Sequence, residues 1–192
     1  MHQQLLSRYR YAIDRQDVIT SVCPLWLAFA RENGASQLTC EAVVGRSLWE
    51  FIDGTETKHF YQLLLQRVRQ NNASTIIPFR CDSPTLRRYM RLELIPDPDG
   101  SVYLIGVLER VEQTVPFHLL EPNFPRSAQM LTLCSCCKRF LVESCGWLEL
   151  GDVAGRLNLL NKQLAPKLRN SICPDCLAVA GVSNHGHAVK AV

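Results

Sequence analysis

The 192-residue sequence has no apolar run approaching the roughly 20 residues that carry a helix across a bilayer, which excludes helical membrane spans. It opens with no basic segment followed by an apolar stretch and a small-residue cleavage site, so a cytoplasmic setting is expected. It also lacks a Gly-rich phosphate loop ending in Lys-Ser/Thr, a G-x-S-x-G elbow and an H-E-x-x-H helix. Each of these chemistries needs its residues at fixed spacing. Phosphate-loop, serine-hydrolase and zincin-type catalysis are therefore excluded, and no enzyme is expected. Aromatic residues make up 8% of the chain, too few and too scattered to suggest a base-stacking platform.

What is present is the composition of an ordinary globular protein, 47% hydrophobic and 20% charged. The net charge of +3 is unevenly spread. Residues 1–112 carry 13 basic and 13 acidic side chains, and residues 113–192 carry 8 and 5. Nine cysteines, an odd number, are unevenly placed and do not read as a disulfide framework. Reduced thiols agree with the expected compartment.

Four of those cysteines have a specific spacing. Cys134 and Cys137 form one C-x2-C pair, and Cys173 and Cys176 form another. Two such knuckles are the ligand pattern of a closed tetrahedral four-thiolate zinc site, structural because it leaves no open position for substrate. A disulfide pairing and free reduced thiols are the alternatives. Cys136 is a spare inside the first pair, expected to point away, and Cys145 is an alternative fourth ligand. Lys138 and Arg139 stand beside the first knuckle, where their charge offsets the thiolates.

Residues 1–10 space Leu5, Leu6 and Tyr9 as a short amphipathic helix. Residues 9–13 and 17–22 read as a hairpin about the polar turn at 14–17. A helix from Pro24 stops at Asn33-Gly34, and a short helix or turn occupies 38–44. Ser47 with Glu50 has the spacing of a capping box. The longest helix of this half is expected over about 56–70, with Phe60, Leu63, Leu64 and Val68 on its core face. Three strands follow over 75–81, 87–95 and 101–112, the last two joined by the turn at 96–100. Phe79, Leu92, Ile105 and Val107 are core or the lining of a pocket. Arg80, Arg87 and Arg88 read as a solvated loop or as an anion- or partner-binding surface.

This order of elements, with the run Val44-Gly45-Arg46-Ser47-Leu48-Trp49-Glu50-Phe51-Ile52 before the long helix, resembles a PAS sensory domain over residues 8–112. The resemblance implies a five-stranded antiparallel sheet in strand order 2-1-5-4-3, a role in signal input, and dimerisation through a helix at residues 1–10. Some members of that family hold haem through a histidine on the connecting helix, which makes haem a candidate cofactor and His59 its candidate ligand. A non-metal role and a buried hydrogen-bonded role are the other readings of His59. The cysteine that binds flavin in photosensing members is missing from the Gly45–Glu50 stretch.

Residues 113–130 contain Pro116, Pro122 and Pro125 among apolar anchors and read as a stiff connector. Short strands are expected around the first knuckle. A helix over 152–167 follows, from Val153, Leu157, Leu160 and Leu164. The match of Cys134, Cys137, Lys138, Arg139, Trp147 and Ile172–Cys176 resembles a four-cysteine module of bacterial signalling proteins, although Asn170 and Ser171 replace its histidine and glycine. Residues 178–192 lack periodicity and read as a flexible tail.

The expected fold class is α+β: a PAS-like five-stranded antiparallel sheet with helices on one face, then a small zinc-stabilised hairpin-helix module over 131–177. The expected function is non-catalytic signalling, with a ligand- or partner-sensing half and a zinc module that presents a contact surface to a protein partner. The alternative is DNA regulation through Lys138, Arg139, Lys162, Lys167 and Arg169, whose cations would meet phosphates.

Overall fold

The computed structural model describes residues 7–114, 118–121, 123–157, 159 and 163–182. Strands β1 (Arg8–Ile13) and β2 (Ile19–Val22) form the first hairpin. Its turn is held by the Asp14 carboxylate, which accepts from the Gln16 and Val18 amides at 2.8 and 2.9 Å. The helix expected over 1–10 is corrected at its C-terminal end. Arg8, Tyr9 and Arg10 belong to β1, because Tyr9 and Arg10 pair with Gly106 and Ile105 across the sheet. Residues 1–6, and with them most of the expected dimer helix, lie outside the described residues.

Helix α1 (Pro24–Glu32) begins with proline in its first turn and ends at Asn33, with Gly34 at φ 80°. Helix α2 (Cys40–Val43) and a 3-10 turn over Leu48–Glu50 follow, and the expected capping box forms between Ser47 and Glu50. Helix α3 (Thr55–Asn71) buries Thr57, Phe60, Leu64, Leu65 and Val68, so its apolar face recurs at three and four residues. It stops where Asn72 takes the left-handed conformation.

Strands β3 (Thr75–Arg80), β4 (Leu86–Pro96) and β5 (Val102–Gln113) complete an antiparallel sheet in the order β2-β1-β5-β4-β3. Met90, Leu92 and Leu94 on β4 are buried at every second position, as strand alternation dictates. The strand order agrees with the one implied by the PAS resemblance, and this half has a PAS-like fold.

Strands β6 (Arg126–Cys134), β7 (Phe140–Val142), β8 (Gly146–Leu148) and β9 (Ala165–Ser171) form a second sheet. Their order is β8-β7-β6-β9. Helix α4 (Leu150–Arg156) lies before β9, and α5 (Pro174–Val179) after it. The helix expected over 152–167 is therefore corrected. It ends at Arg156, and its last expected turn belongs to strand β9, which pairs in parallel with β6. Pro166 explains part of the difference. Its missing N–H breaks a helix but is tolerated in an edge strand, the place β9 occupies.

Two apolar clusters result. One joins Ile13, Phe60, Leu64, Leu94 and Leu104 of the PAS-like half to Cys134, Cys136, Ile172 and Cys173. The other, around Leu119, Leu133, Phe140, Leu150 and Val153, lies within the second sheet and its helices.

Candidate metal centre

The parallel pairing of β6 with β9 positions the cysteines. Parallel strands end on the same side, and Cys134 at the end of β6 registers with Ser171 at the end of β9. The chain then turns tightly at both ends. In the first knuckle, the Cys134 amide donates to the Arg139 carbonyl at 2.8 Å and the Lys138 amide to the Cys134 carbonyl at 3.0 Å. Lys138 sits at φ 60° to allow this return. In the second, Cys173 caps α5, with Pro174 at the first helical position.

The sulfurs of Cys134, Cys137, Cys173 and Cys176 all lie within 4.8 Å of one another. Tetrahedral zinc with Zn–S bonds of about 2.3 Å sets its sulfurs about 3.8 Å apart. The Cys137 and Cys173 sulfurs are 3.7 Å apart, a separation suited to sharing an ion and far beyond a covalent S–S bond. All nine cysteines are free thiols. The cluster is thus geometrically able to chelate a metal ion through four soft donors.

Its surroundings stabilise negative sulfur. The Arg139 guanidinium donates to Cys137 Sγ at 3.2 Å and to Cys173 Sγ at 3.3 Å, and pairs with Asp175 at 2.7 Å. These partners, Cys137 first, hold the Arg139 pKa above its ordinary value. The Cys173 amide donates to Cys134 Sγ at 3.3 Å. Hydrogen bonds from Cys136, Cys137 and Cys176 hold the Cys134 thiol far below its usual range, while burial pushes Cys173 up to about 11. Cys134 is thus the sulfur held as thiolate, the form that binds metal, while burial keeps the proton on Cys173.

Cys136 does not point away. It is buried, lines one cavity wall with Cys137 and Cys176, and packs with Cys134 in the cluster shared with the PAS-like half. Cys145 is exposed and lies beside Arg156 rather than among the four sulfurs.

The other sequence candidates are dispersed. Lys138 turns inward, donating to the Ser135 carbonyl at 2.9 Å, and Arg139 is committed to sulfur. Lys167 and Arg169 are exposed on alternate positions of β9, and Lys162 lies outside the described residues. His59 is exposed on α3 and lines neither of two cavities. One cavity, about 200 Å³, lies among Tyr11, Trp26, Tyr61, Phe79 and Leu92. The other, about 310 Å³, lies between β3, β4 and the knuckles, with Phe60, Phe79, Met90, Cys136, Cys137 and Cys176 in its wall.

Sequence reasoning missed the seam between the halves. Arg80 was expected in a solvated loop, yet it is 7% exposed. It pairs with Asp82 beside it and with Glu149 of the second half at 2.7 Å. Its backbone amide donates to the Cys136 carbonyl at 2.7 Å, so the knuckle caps the last residue of edge strand β3. Thr57 and Ser135 share a 2.8 Å hydroxyl bond, and Arg67 donates to the Ala180 and Gly181 carbonyls, both at 3.0 Å. A buried arginine was the only one of these features with a local signal, since Asp82 follows it at the spacing of same-face neighbours on a strand.

No protein-family model matches the sequence, and neither does any curated protein. Solved structures resemble part of it. A domain of an HTR-like protein from Haloarcula marismortui shares 16% identity at a TM-score of 0.38, over 54% of this chain and 98% of that one. A sensory box sensor histidine kinase from Vibrio cholerae shares 14% at 0.42, over 57% and 86%. The Aer2 receptor from Vibrio cholerae, described as a dual PAS-heme oxygen sensor, shares 12% at 0.35, over 55% and 96%. Strand order and register, rather than these distant likenesses, carry the fold assignment.

Proposed function

We propose that this chain is a non-catalytic signalling protein in which a PAS-like sensory half, residues 8–112, is clamped to a structural zinc module over 131–177. The chain between Gln113 and Arg126 connects them. The tail expected over 178–192 is corrected at its start, since Ala180 and Val182 are buried and Arg67 of α3 holds the Ala180 and Gly181 carbonyls. Residues 183–192 lie outside the described residues. The observation that carries this reading is the set of four sulfurs within 4.8 Å of one another, built into the same apolar cluster as α3 and the first sheet. Zinc fits this set because it takes four thiolates tetrahedrally and needs no further ligand. When bound, it supplies folding energy and fixes the knuckles. Cys134, Cys137, Cys173 and Cys176 hold it, and Arg139 offsets its thiolates.

The sensory role is supported by the PAS-like topology and by the two apolar cavities beside the sheet. The partner is a signalling protein in the same compartment, which we take to be the cytoplasm. No described helix is long and apolar enough to cross a membrane. The nucleic-acid reading loses support because Arg139 and Lys138 face the knuckle. Native mass spectrometry of freshly purified protein tests the proposal. It should find a single zinc ion per chain and a signalling protein on the complex recovered from its source. A folded chain purified without metal would overturn the zinc assignment.

A further inference from the structure

The four sulfurs are not equivalent. Cys134 and Cys173 are fully buried, whereas Cys137 and Cys176 are partly exposed and stand in the wall of the 310 Å³ cavity. Their hydrogen bonding differs as well. Arg139 donates to Cys137 and Cys173, and the Cys173 amide donates to Cys134. Among the described residues, the Cys176 sulfur receives no N–H donor. An N–H bonded to a metal-held thiolate withdraws electron density from it, so Cys176 keeps the most nucleophilic sulfur of the set. Beside it is the fifth thiol, Cys136, in the same cavity wall and the same apolar cluster.

Resting on the zinc assignment above, we propose that Cys176 and Cys136 form a peroxide-sensitive pair, with Cys176 as the site of oxidation and Cys136 as the resolving thiol. The cavity admits a molecule the size of hydrogen peroxide or a small organic hydroperoxide. The zinc-held Cys176 thiolate attacks one peroxide oxygen. An S–O bond forms, the O–O bond breaks, and hydroxide leaves and takes a proton to become water. The Cys136 thiol then attacks the sulfenic sulfur, forming the S–S bond and releasing a second water. Peroxide is reduced by two electrons and the two cysteines are oxidised by two. Zinc, left with three thiolates, loses its closed site.

The consequence reaches the sensor. Cys136 lies in the cluster shared with Phe60 and Leu64, and its carbonyl receives the Arg80 amide. Drawing its sulfur onto Cys176 while the metal departs loosens the contact between the knuckles and the first sheet. A peroxide signal is thereby converted into undocking of the second half. A dithiol reductant with added zinc reverses it.

The test uses full-length protein whose zinc content is measured first. Stoichiometric hydrogen peroxide is added, zinc release is followed with a chromogenic chelator, and disulfides are mapped by peptide mass spectrometry. Wild type should release zinc with a Cys136–Cys176 disulfide, and Cys136→Ser should release it roughly tenfold more slowly, having lost its adjacent thiol. A wild-type disulfide that joins two zinc ligands without Cys136, or release from Cys136→Ser at the wild-type rate, would overturn the pair. Cys136→Ala serves if the serine disturbs the apolar wall, and the wild-type disulfide map decides even if neither variant folds. A folded starting protein without zinc is a different result, and counts against the metal assignment instead.

Discussion

The two apolar clusters both draw residues from the second half and differ in what they join. Phe140, Leu133 and Val153 bury against elements of the second half only. Cys134, Cys136, Ile172 and Cys173, although they come from that same half, bury against α3 and the first sheet. Two folding units need not coincide with two segments of sequence. The knuckles belong by sequence to the second unit and by packing to the first. The cysteine cluster is then less a staple of a small module than a fastener between two sheets, reinforced by the Arg80–Glu149 ion pair and the Thr57–Ser135 bond.

Removing one ligand of the proposed zinc site breaks this comparison most severely. If the second half were independent, Cys173→Ser would unfold it and leave residues 8–112 intact, as the sequence spacing by itself suggests. The shared cluster predicts otherwise. Loss of zinc, whose binding supplies on the order of 10 kcal/mol in small zinc-dependent folds, should raise hydrogen exchange in the second half and also in α3 and β3. Zinc content and exchange mass spectrometry measured on the same sample check it. Protection of α3 and β3 at wild-type levels would restore the two-unit picture.

Core truncations sharpen the contrast at smaller cost. Phe60 and Phe140 are both buried, and either change to alanine should cost about 3–5 kcal/mol. The distribution of the damage should differ. Phe60→Ala removes a ring that packs in the shared cluster and lines the cavity beside Cys136, so it should loosen both halves and speed zinc release to a chelator. Phe140→Ala should unfold β6, β7 and α4 locally while leaving exchange in β1 and β5 unchanged. Urea titrations read by exchange at those strands separate the two patterns.

What the sequence disclosed follows the range of the forces involved. The capping box at Ser47, the turn at Asp14, the stop at Asn33-Gly34 and the alternation of β4 all depend on neighbours a few residues away. So does the grouping of Cys134, Cys137, Cys173 and Cys176, because each C-x2-C knuckle is local and two knuckles are the spacing that four-sulfur clusters need. The parallel pairing of β6 with β9 was not legible. Nothing in residues 165–171 specifies a partner 30 or more positions earlier, and apolar spacing through Leu164 imitates a helix. Docking of the knuckles on β3 was hidden for the same reason. For Arg80 only Asp82 is a local signal, and its second partner, Glu149, is 69 residues away.

The finest test of the fastener lies at Gly54. Its φ of +85° is a conformation that L side chains rarely adopt, and a Cβ there would meet Asn170 of β9, at 2.9 Å from Cβ and 3.0 Å from the carbonyl oxygen. Gly45 has nearly the same φ, +84°, but nothing within 4 Å of such a Cβ. The pair therefore separates backbone strain from contact between the halves. Gly45→Ala should cost only the left-handed strain, about 1–2 kcal/mol, and leave zinc affinity unchanged. Gly54→Ala should cost that amount and also push Asn170 away, since the obstacle is backbone rather than the end of a flexible side chain. Asn170 precedes Cys173 by three residues and donates to Asp53 at 3.1 Å, so its displacement should reach the second knuckle. Chelator competition should then find zinc held more weakly in Gly54→Ala than in Gly45→Ala. Equal zinc affinity in the two variants would mean that the knuckles hold their metal independently of the sheet on which they rest.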